Sequence, residues 1–334
     1  MSMEVVKPGL LTTVQDLGRK GYAKYGIPKS GAMDGYAHRL ANWFVGNNAC
    51  EAALEITWSG FSVRFNRDML VAITGANLAP VCGRIAVPMW RPVWFRAGSE
   101  LSFKRPVSGC RAYLAAAGGL DVPQVMGSRS TYLRAKVGGV HGRALQAGDM
   151  IPVKFTRHAD KPLFVGAANS ASEVFCAPAW SAAPRDGYGG TDMVVRVTRG
   201  REYGDFREEA IQRLIAESYR VQPDSDRMGY RLSGLPLLLE TQREYISEGV
   251  ADGTVQVPAD GQPIILMADR QTLGGYPKIA QVISVDLPLV AQLPPGGSIR
   301  FREVSIAEAE RLYCEAAREL RLLRRMINYK LKEA

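Results

Sequence analysis

The chain has 334 residues, 46% hydrophobic and 22% charged, which is more than one compact core usually holds and leaves no tract biased enough to stay disordered. Lys and Arg outnumber Asp and Glu by 42 to 33, a formal charge of +9, yet no nucleic-acid module motif accompanies the charge, so it reads as a solvated basic face rather than a nucleic-acid site. The longest apolar runs, LVAIT (70–74) and IILMA (264–268), are too short to span a bilayer, and the opening MSMEVVKPG lacks the apolar core of a signal peptide, so a cytoplasmic chain with no membrane segment is expected.

Residues 1–188 read as a first β-rich domain. The pieces EAALEITWSG, FSVRF and MLVAIT are short and strand-like, and CRAYLAAAGG runs into paired glycines. Between them one helix is predicted from about Tyr36 to Val45, because Ala37, Leu40, Ala41 and Phe44 recur at helical spacing and Asp34 stands where an N-cap belongs. The stretch from about Phe155 to Asp192 is rich in Ala, Pro, Ser and Gly and reads as a connection between domains.

A second domain is expected over 189–304. It opens with the strand MVVRVTRG, continues through a short amphipathic helix in EEAIQRLIAES, and returns to strands in YISEGV, GTVQVP, PIILMAD, KIAQVISVD and GSIRF. Strands spaced by roughly ten residues suit an antiparallel barrel. Residues 305–334 form a third object. SIAE is a capping box with Ser305 as N-cap, and Leu312, Ala316, Leu320, Leu323 and Ile327 make an apolar stripe at helical spacing. A helix packed on its own barrel explains the stripe, and so does a helix that binds a partner or a membrane surface. From Leu320 to Lys332 the cations Arg321, Arg324, Arg325, Lys330 and Lys332 have no acid among them.

The familiar catalytic signatures are absent: no GxxxxGK[ST] phosphate loop, no GxGxxG after a strand, no GxSxG elbow and no HExxH. The five cysteines (Cys50, Cys82, Cys110, Cys176 and Cys314) contain no CxxC, and His38, His141 and His158 show no ligand spacing, so no metal site is expected. What remains is three polar clusters at turns. In TTVQDLGR (12–19) and GIPKSGAMD (26–34), Asp16, Ser30, Gly31 and Asp34 stand beside sharp turns, where backbone N–H groups suit an anion and turn or cap chemistry suits the same residues. In AGGLDVPQVMGSRST (117–131), Ser128 and Arg129 sit in a glycine-flanked loop, and the arginine fork matches planar oxyanions or a nearby acid. In SDRMGYRL (225–232) and GTVQVPADGQPIILMADRQTLGGYPKIA (253–280), Asp269 follows an apolar strand, Gly274, Gly275 and Tyr276 form a turn, and Arg227 and Gln256 supply a cation and a neutral hydrogen-bonding group. An acid at the end of a rigid strand beside glycines is a common active-site placement, and it serves equally as an acid bonded to turn amides.

TTVQDLGR, GIPKSGAMD, AGGLDVPQVMGSRST, SDRMGYRL and DGQPIILMADRQTLGGYP resemble the family of C-type 5-oxoprolinase subunits, also called the KipA-like or biotin-dependent carboxyltransferase family, over residues 3 to about 310. The resemblance implies a mainly β chain with a few helices and cyclophilin-like β-barrel architecture. It implies two partner subunits, one B-type and KipI-like, the other A-type and LamB/YcsF-like. Together such chains open 5-oxoproline to glutamate at the expense of ATP. Under the resemblance Asp269 and Arg227 are catalytic candidates. Asp16, Ser30, Gly31, Asp34, Ser128, Arg129, Gln256, Gly274, Gly275 and Tyr276 are candidates for substrate binding. ATP and Mg2+ are expected at the level of the complex. Two other readings accompany the family: a carboxyltransferase component of a urea carboxylase-like enzyme, for which biotin is the cofactor, and a non-catalytic regulator that binds a KipI-like partner.

Overall fold

The computed structural model describes residues 2–155, 174–185, 187–241 and 243–333; His158 and most of the expected connection lie outside them. By internal contacts the chain divides into one unit of residues 1–19, 30–189 and 320–334 and another of 20–29 and 190–319. The change at 189/190 falls beside the 188/189 boundary read from the sequence, while the short segment 20–29 groups with the second unit and the terminal helix is divided between the two.

In the first unit two six-stranded sheets face each other. One runs, edge to edge, through Met150–Pro152, Ser2–Pro8, Phe61–Phe65, Glu100–Phe103, Pro80–Cys82 and Ile85–Ala86. The other runs through Phe175–Cys176, Pro92–Phe95, Met69–Asn77, Ser108–Ala116, Ala53–Thr57 and Leu11–Gln15. Side chains alternate across a strand, so each strand of a doubly covered sheet needs two apolar faces. MLVAIT supplies both. Val71 and Ile73 join Leu54, Ile56, Leu114 and the opposite sheet's Val63 and Phe65 in the core between the sheets. Leu70 and Ala72 join Ala53 and Ala115 on the outer face, where helix α1 (Gly35–Phe44) lays Ala37, Leu40, Ala41 and Phe44. The helix begins where the sequence predicts, because the Asp34 carboxylate accepts the N–H groups of Tyr36 and Ala37 at 3.1 and 2.9 Å.

The second unit holds a closed barrel of seven strands: Asp192–Arg199, Lys278–Val282, Thr254–Gln256, Ile264–Leu266, Gly229–Ser233, Ser218–Val221 and Ser298–Glu303. It closes through a parallel pairing of the first strand with the last, Met193 opposite Ile299 and Val195 opposite Phe301. Every other neighbour is antiparallel. Helix α2 (Glu208–Ala216) buries Ala210 and Leu214, and the short α3 (Leu287–Gln292) buries Val290 and Ala291. The apolar run IILMA forms a strand only over Ile264–Leu266; Met267 to Asp269 already turn away. A two-stranded ribbon pairs Glu248–Gly249 with Leu273–Gly274.

Helix α4 spans Ile306–Glu333. Ser305 caps it, its hydroxyl accepting the Glu308 N–H at 3.1 Å. Its predicted stripe is the packed one: half-buried Leu312 and Ala316 pack on Ile283, Val285 and Val304 of the second unit, and half-buried Leu320 and Leu323 with the buried Ile327 pack into the α1 cluster of the first. All five cysteines are free thiols.

Candidate functional site

Asp16 follows the strand Leu11–Gln15, and its carboxylate accepts four hydrogen bonds. They come from the hydroxyls of Ser128 (2.7 Å) and Ser130 (2.5 Å) and the N–H groups of Arg129 (2.6 Å) and Gly18 (2.8 Å). Burial pushes this carboxyl up, but the bonds from Ser130, Ser128, Arg129 and Gly18 outweigh it, so the net shift is below the usual carboxylate range. An acid so fully occupied by donors ties two loops together. Ser30 and Gly31 join the same place, where the Ala32 N–H donates to the Asp16 carbonyl at 2.8 Å. Gly31 has φ +91°, and a Cβ there would stand 2.7 Å from the Gly18 nitrogen, so only glycine fits. Ser30 is buried in the left-handed region at φ 53°. The Arg129 guanidinium turns to the Val122 carbonyl, its Nε donating at 3.1 Å. Asp34 stands apart from these in role, as the cap of α1.

The barrel assembles the other candidates in two groups. Arg227 and Asp269 form an ion pair with both side chains about 6% exposed. The guanidinium Nε donates to one carboxylate oxygen at 2.8 Å and a terminal nitrogen to the other at 3.3 Å. The partner of the acid is therefore the arginine. In the second group the Gln256 side chain, 1% exposed, donates to the Tyr276 carbonyl at 3.3 Å. Gly274 lies flat against that amide, and a Cβ at 274 would collide with its Nε2. Gly275 would meet the Ser247 hydroxyl at 3.0 Å in the same way. Gly274 lets the turn lie directly on the barrel strand Thr254–Gln256, and Gly275 lies against the loop at Ser247.

Beside this turn is a cavity of about 330 Å3, walled by Gly275, Tyr276, Tyr245, Arg243, Glu244 and the Val257–Ala259 segment. That volume suits a small molecule. Arg243 pairs with Asp205 and lies over the Tyr245 ring, its guanidinium carbon 5.1 Å from the ring centre; the Tyr245 hydroxyl donates to the same Asp205 at 3.2 Å. The wall thus offers a cation, a carboxylate, two phenols and open backbone, enough to orient a compact polar ligand with both donors and acceptors. Sequence reasoning found Gly275 and Tyr276 but missed Arg243 and Tyr245. YISEGV read as scaffold strand, whereas the strand is only Glu248–Gly249, and an Arg-Glu-Tyr run in a loop was the available signal.

Among the described residues no group of three or more His, Cys, Asp or Glu is arranged to hold a metal ion, and no helix is long and apolar enough to cross a membrane.

Residues 25–303 match the family described as carboxyltransferase domain, subdomain A and B. The chain is 40% identical over 308 residues to the C-type subunit of 5-oxoprolinase from Escherichia coli, with 92% of this chain and 93% of that one covered. It is 38% identical over 321 residues to the C-type subunit of 5-oxoprolinase from Haemophilus influenzae, with 95% and 96% covered. Among solved structures it superposes on the urea amidolyase of K. lactis with a TM-score of 0.85 at 31% identity, covering 96% of this chain but only 20% of that much longer one. A match that runs through both units, at such identity and nearly end to end with its bacterial relatives, places the chain in the carboxyltransferase domain, subdomain A and B, family, whose members include the C-type subunits of 5-oxoprolinase.

Proposed function

We propose that this chain is the C-type subunit of an ATP-dependent 5-oxoprolinase, which turns 5-oxoproline into glutamate only when assembled with its A-type and B-type partners. The observation that carries the reading is the 40% identity to the C-type 5-oxoprolinase subunit of Escherichia coli over 92% of the chain. The cavity beside the Gly274–Tyr276 turn supports it in kind: its volume of about 330 Å3 has room for a five-membered lactam acid. Opening that lactam is hard because amide resonance stabilises it. ATP overcomes this if the lactam oxygen is phosphorylated, which makes the ring carbon a good electrophile. Mg2+ with ATP does not fit the described residues taken alone. They hold no ligand cluster for a metal, and the sequence has no glycine-rich phosphate loop. The reading therefore assigns the nucleotide to the assembled complex. To this chain it gives the Gly274–Tyr276 turn, Gln256, Arg243 and Tyr245 for binding, with the Arg227–Asp269 pair as the catalytic candidate on the barrel.

The test is co-purification with the neighbouring subunits, followed by ADP release with and without 5-oxoproline. Release that depends on 5-oxoproline and on all subunits supports the reading; robust turnover by this chain alone, or none by the complex, defeats it. A second reading, carboxyl transfer from carboxybiotin to a urea-like acceptor, is favoured by the superposition on urea amidolyase. Such chemistry needs a biotin carrier and a biotin carboxylase on other chains. Urea-dependent ADP release by a biotin-loaded complex would select it. A complex that turns over neither substrate would select the non-catalytic regulator.

A further inference from the structure

Helix α4 has a face that the described residues leave uncovered. Opposite the packed stripe, Leu322, Met326 and Tyr329 stand at i, i+4 and i+7 and are 58%, 56% and 61% exposed. Beside them Arg321, Arg325 and Lys332 are exposed, and Arg324 is exposed further round the helix, next to the Leu320–Ile327 stripe. None of these four makes an ion pair with a described residue, although the same helix pairs Arg311 with Glu315 and Lys330 with Glu333. Like charges one turn apart, as at Arg321 and Arg325, oppose a helix. The helix dipole offsets cations only in the last turn, which accounts for Lys332 but not for the arginines two to three turns upstream. The matched family ends at residue 303, before α4 begins.

We infer that this outer face of α4 is a docking surface for an acidic amphipathic helix on another protein chain. The four-then-three spacing of Leu322, Met326 and Tyr329 is that of a helix–helix seam. The arginine row along its edge sets the charge and orientation of what lies there. A second copy of this chain would bring arginine against arginine. A nucleic acid would use the cations and leave the apolar stripe idle. A bilayer would take up a broader apolar face than three side chains, and here Glu319 and Glu333 flank the stripe.

The probe is a synthetic peptide of three heptads with Leu at the core positions and Glu on the flanks, labelled and titrated with the full chain by fluorescence anisotropy, alongside its Lys-flanked counterpart. The Glu peptide binds and the Lys peptide does not. Arg321→Glu/Arg324→Glu/Arg325→Glu weakens binding by about tenfold or more, and Leu322→Ser/Met326→Ser weakens it several-fold with the charge intact. All five side chains are exposed, so melting temperatures stay near the parent's; should the Glu triple melt early, the R321Q/R324Q/R325Q chain carries the same test. Unchanged affinity in either the charge or the apolar variant overturns the inference. So does arginine-dependent binding to phosphatidylcholine–phosphatidylserine vesicles with no binding of the peptide, which would make the face a membrane surface. Dimerisation abolished by the apolar variant would assign the face to a second copy and overturn it too.

Discussion

Arg227 and Asp269 clasp each other through both side chain and backbone: the guanidinium Nε donates to the carboxylate at 2.8 Å, and the Asp269 N–H donates to the Arg227 carbonyl at 2.8 Å. The main chains are thus in register where the charges meet, with both side chains about 6% exposed. An asparagine at 269 removes the charge facing the guanidinium. Removing one partner of a buried pair costs about 3–5 kcal/mol, against about 1 kcal/mol for losing a turn bond.

Asp269→Asn should therefore lower the unfolding free energy by about 3 kcal/mol, read by denaturant titration. The apolar replacement Arg227→Met/Asp269→Leu should recover most of that, because well-packed apolar groups do as well as a buried pair. Turnover of the assembled complex separates scaffold from chemistry. If the pair acts on substrate, the stable double variant still loses on the order of 10²-fold in rate. Near-normal turnover in the double variant would leave the pair a strut of the barrel.

His38 sets a second, pH-dependent prediction. Its ring lies fully buried, with Nε2 3.1 Å from the Gln15 carbonyl. Burial pushes its pKa down to about 4 from an ordinary 6.5, against smaller opposing effects from the Gln15 carbonyl, Asp16 and Glu55. The unfolded chain takes up the proton as pH falls through 6.5 and the folded chain does not, so stability is full above that pH and declines until about 4. At 1.36 kcal/mol per unit the loss is about 3 kcal/mol. Asp16, whose pKa the fold also lowers, adds a separate loss that begins as pH falls through the usual carboxylate range. His38→Gln keeps a donor for the Gln15 carbonyl and should flatten the melting temperature between pH 6.5 and 4; a slope identical to the parent's would refute the assignment.

These two sites show what the sequence could and could not disclose. Local patterns were readable. Asp34 and Ser305 cap their helices as their spacing suggested, and the stripe from Leu312 to Ile327 is the packed one. Long-range pairings were not. Ser128 and Ser130 are 112 and 114 residues from the carboxylate they serve, and no periodicity reports such closure. A serine in a glycine loop looks the same whether it faces a ligand or fills an acid's hydrogen-bonding sites. The IILMA run carried the apolar signature of a strand to Ala268, while the barrel keeps only three of its residues because tertiary pairing, not apolarity, ends a strand. Arg243 and Tyr245 escaped for the converse reason: loop residues become a cavity wall only when the fold curls them over Gly275.

The end of α4 gives a third prediction. The residues beyond Arg318 bury Ile327, 4% exposed, among the residues of the α1 cluster. Truncation after Arg318 should then lower the melting temperature of the chain markedly. Ile327→Ala alone should cost about 2–3 kcal/mol, while Arg321→Gln on the outer face should cost almost nothing. Equal melting temperatures for the truncated and full chains would show that the helix end merely rests on the surface.

The last prediction concerns the close approach of Gly274 to Gln256. The glycine is buried in the ribbon strand, and any Cβ there collides with the Gln256 amide. That amide is itself 1% exposed and holds the Tyr276 carbonyl at 3.3 Å. Gly274→Ala must push the amide away or lift the turn, and either motion shifts Tyr276 at the cavity wall. Overpacking of this kind costs about 1–3 kcal/mol, so the variant should fold with a lower melting temperature. Displacement of about 1 Å in a binding wall is enough to lose up to 10²-fold in rate. Under the proposed function, the loss should appear in turnover by the complex and in affinity for 5-oxoproline. Gln256→Ala should give a milder defect, because it frees the Tyr276 carbonyl without forcing the turn outward. The double variant Gly274→Ala/Gln256→Ala tells the two effects apart. If the collision is the cause, removing the amide restores stability beyond the single alanine at 274, a positive coupling in the double-mutant cycle. Additive losses would mean that the glycine matters for backbone freedom in the ribbon and not for the contact with Gln256.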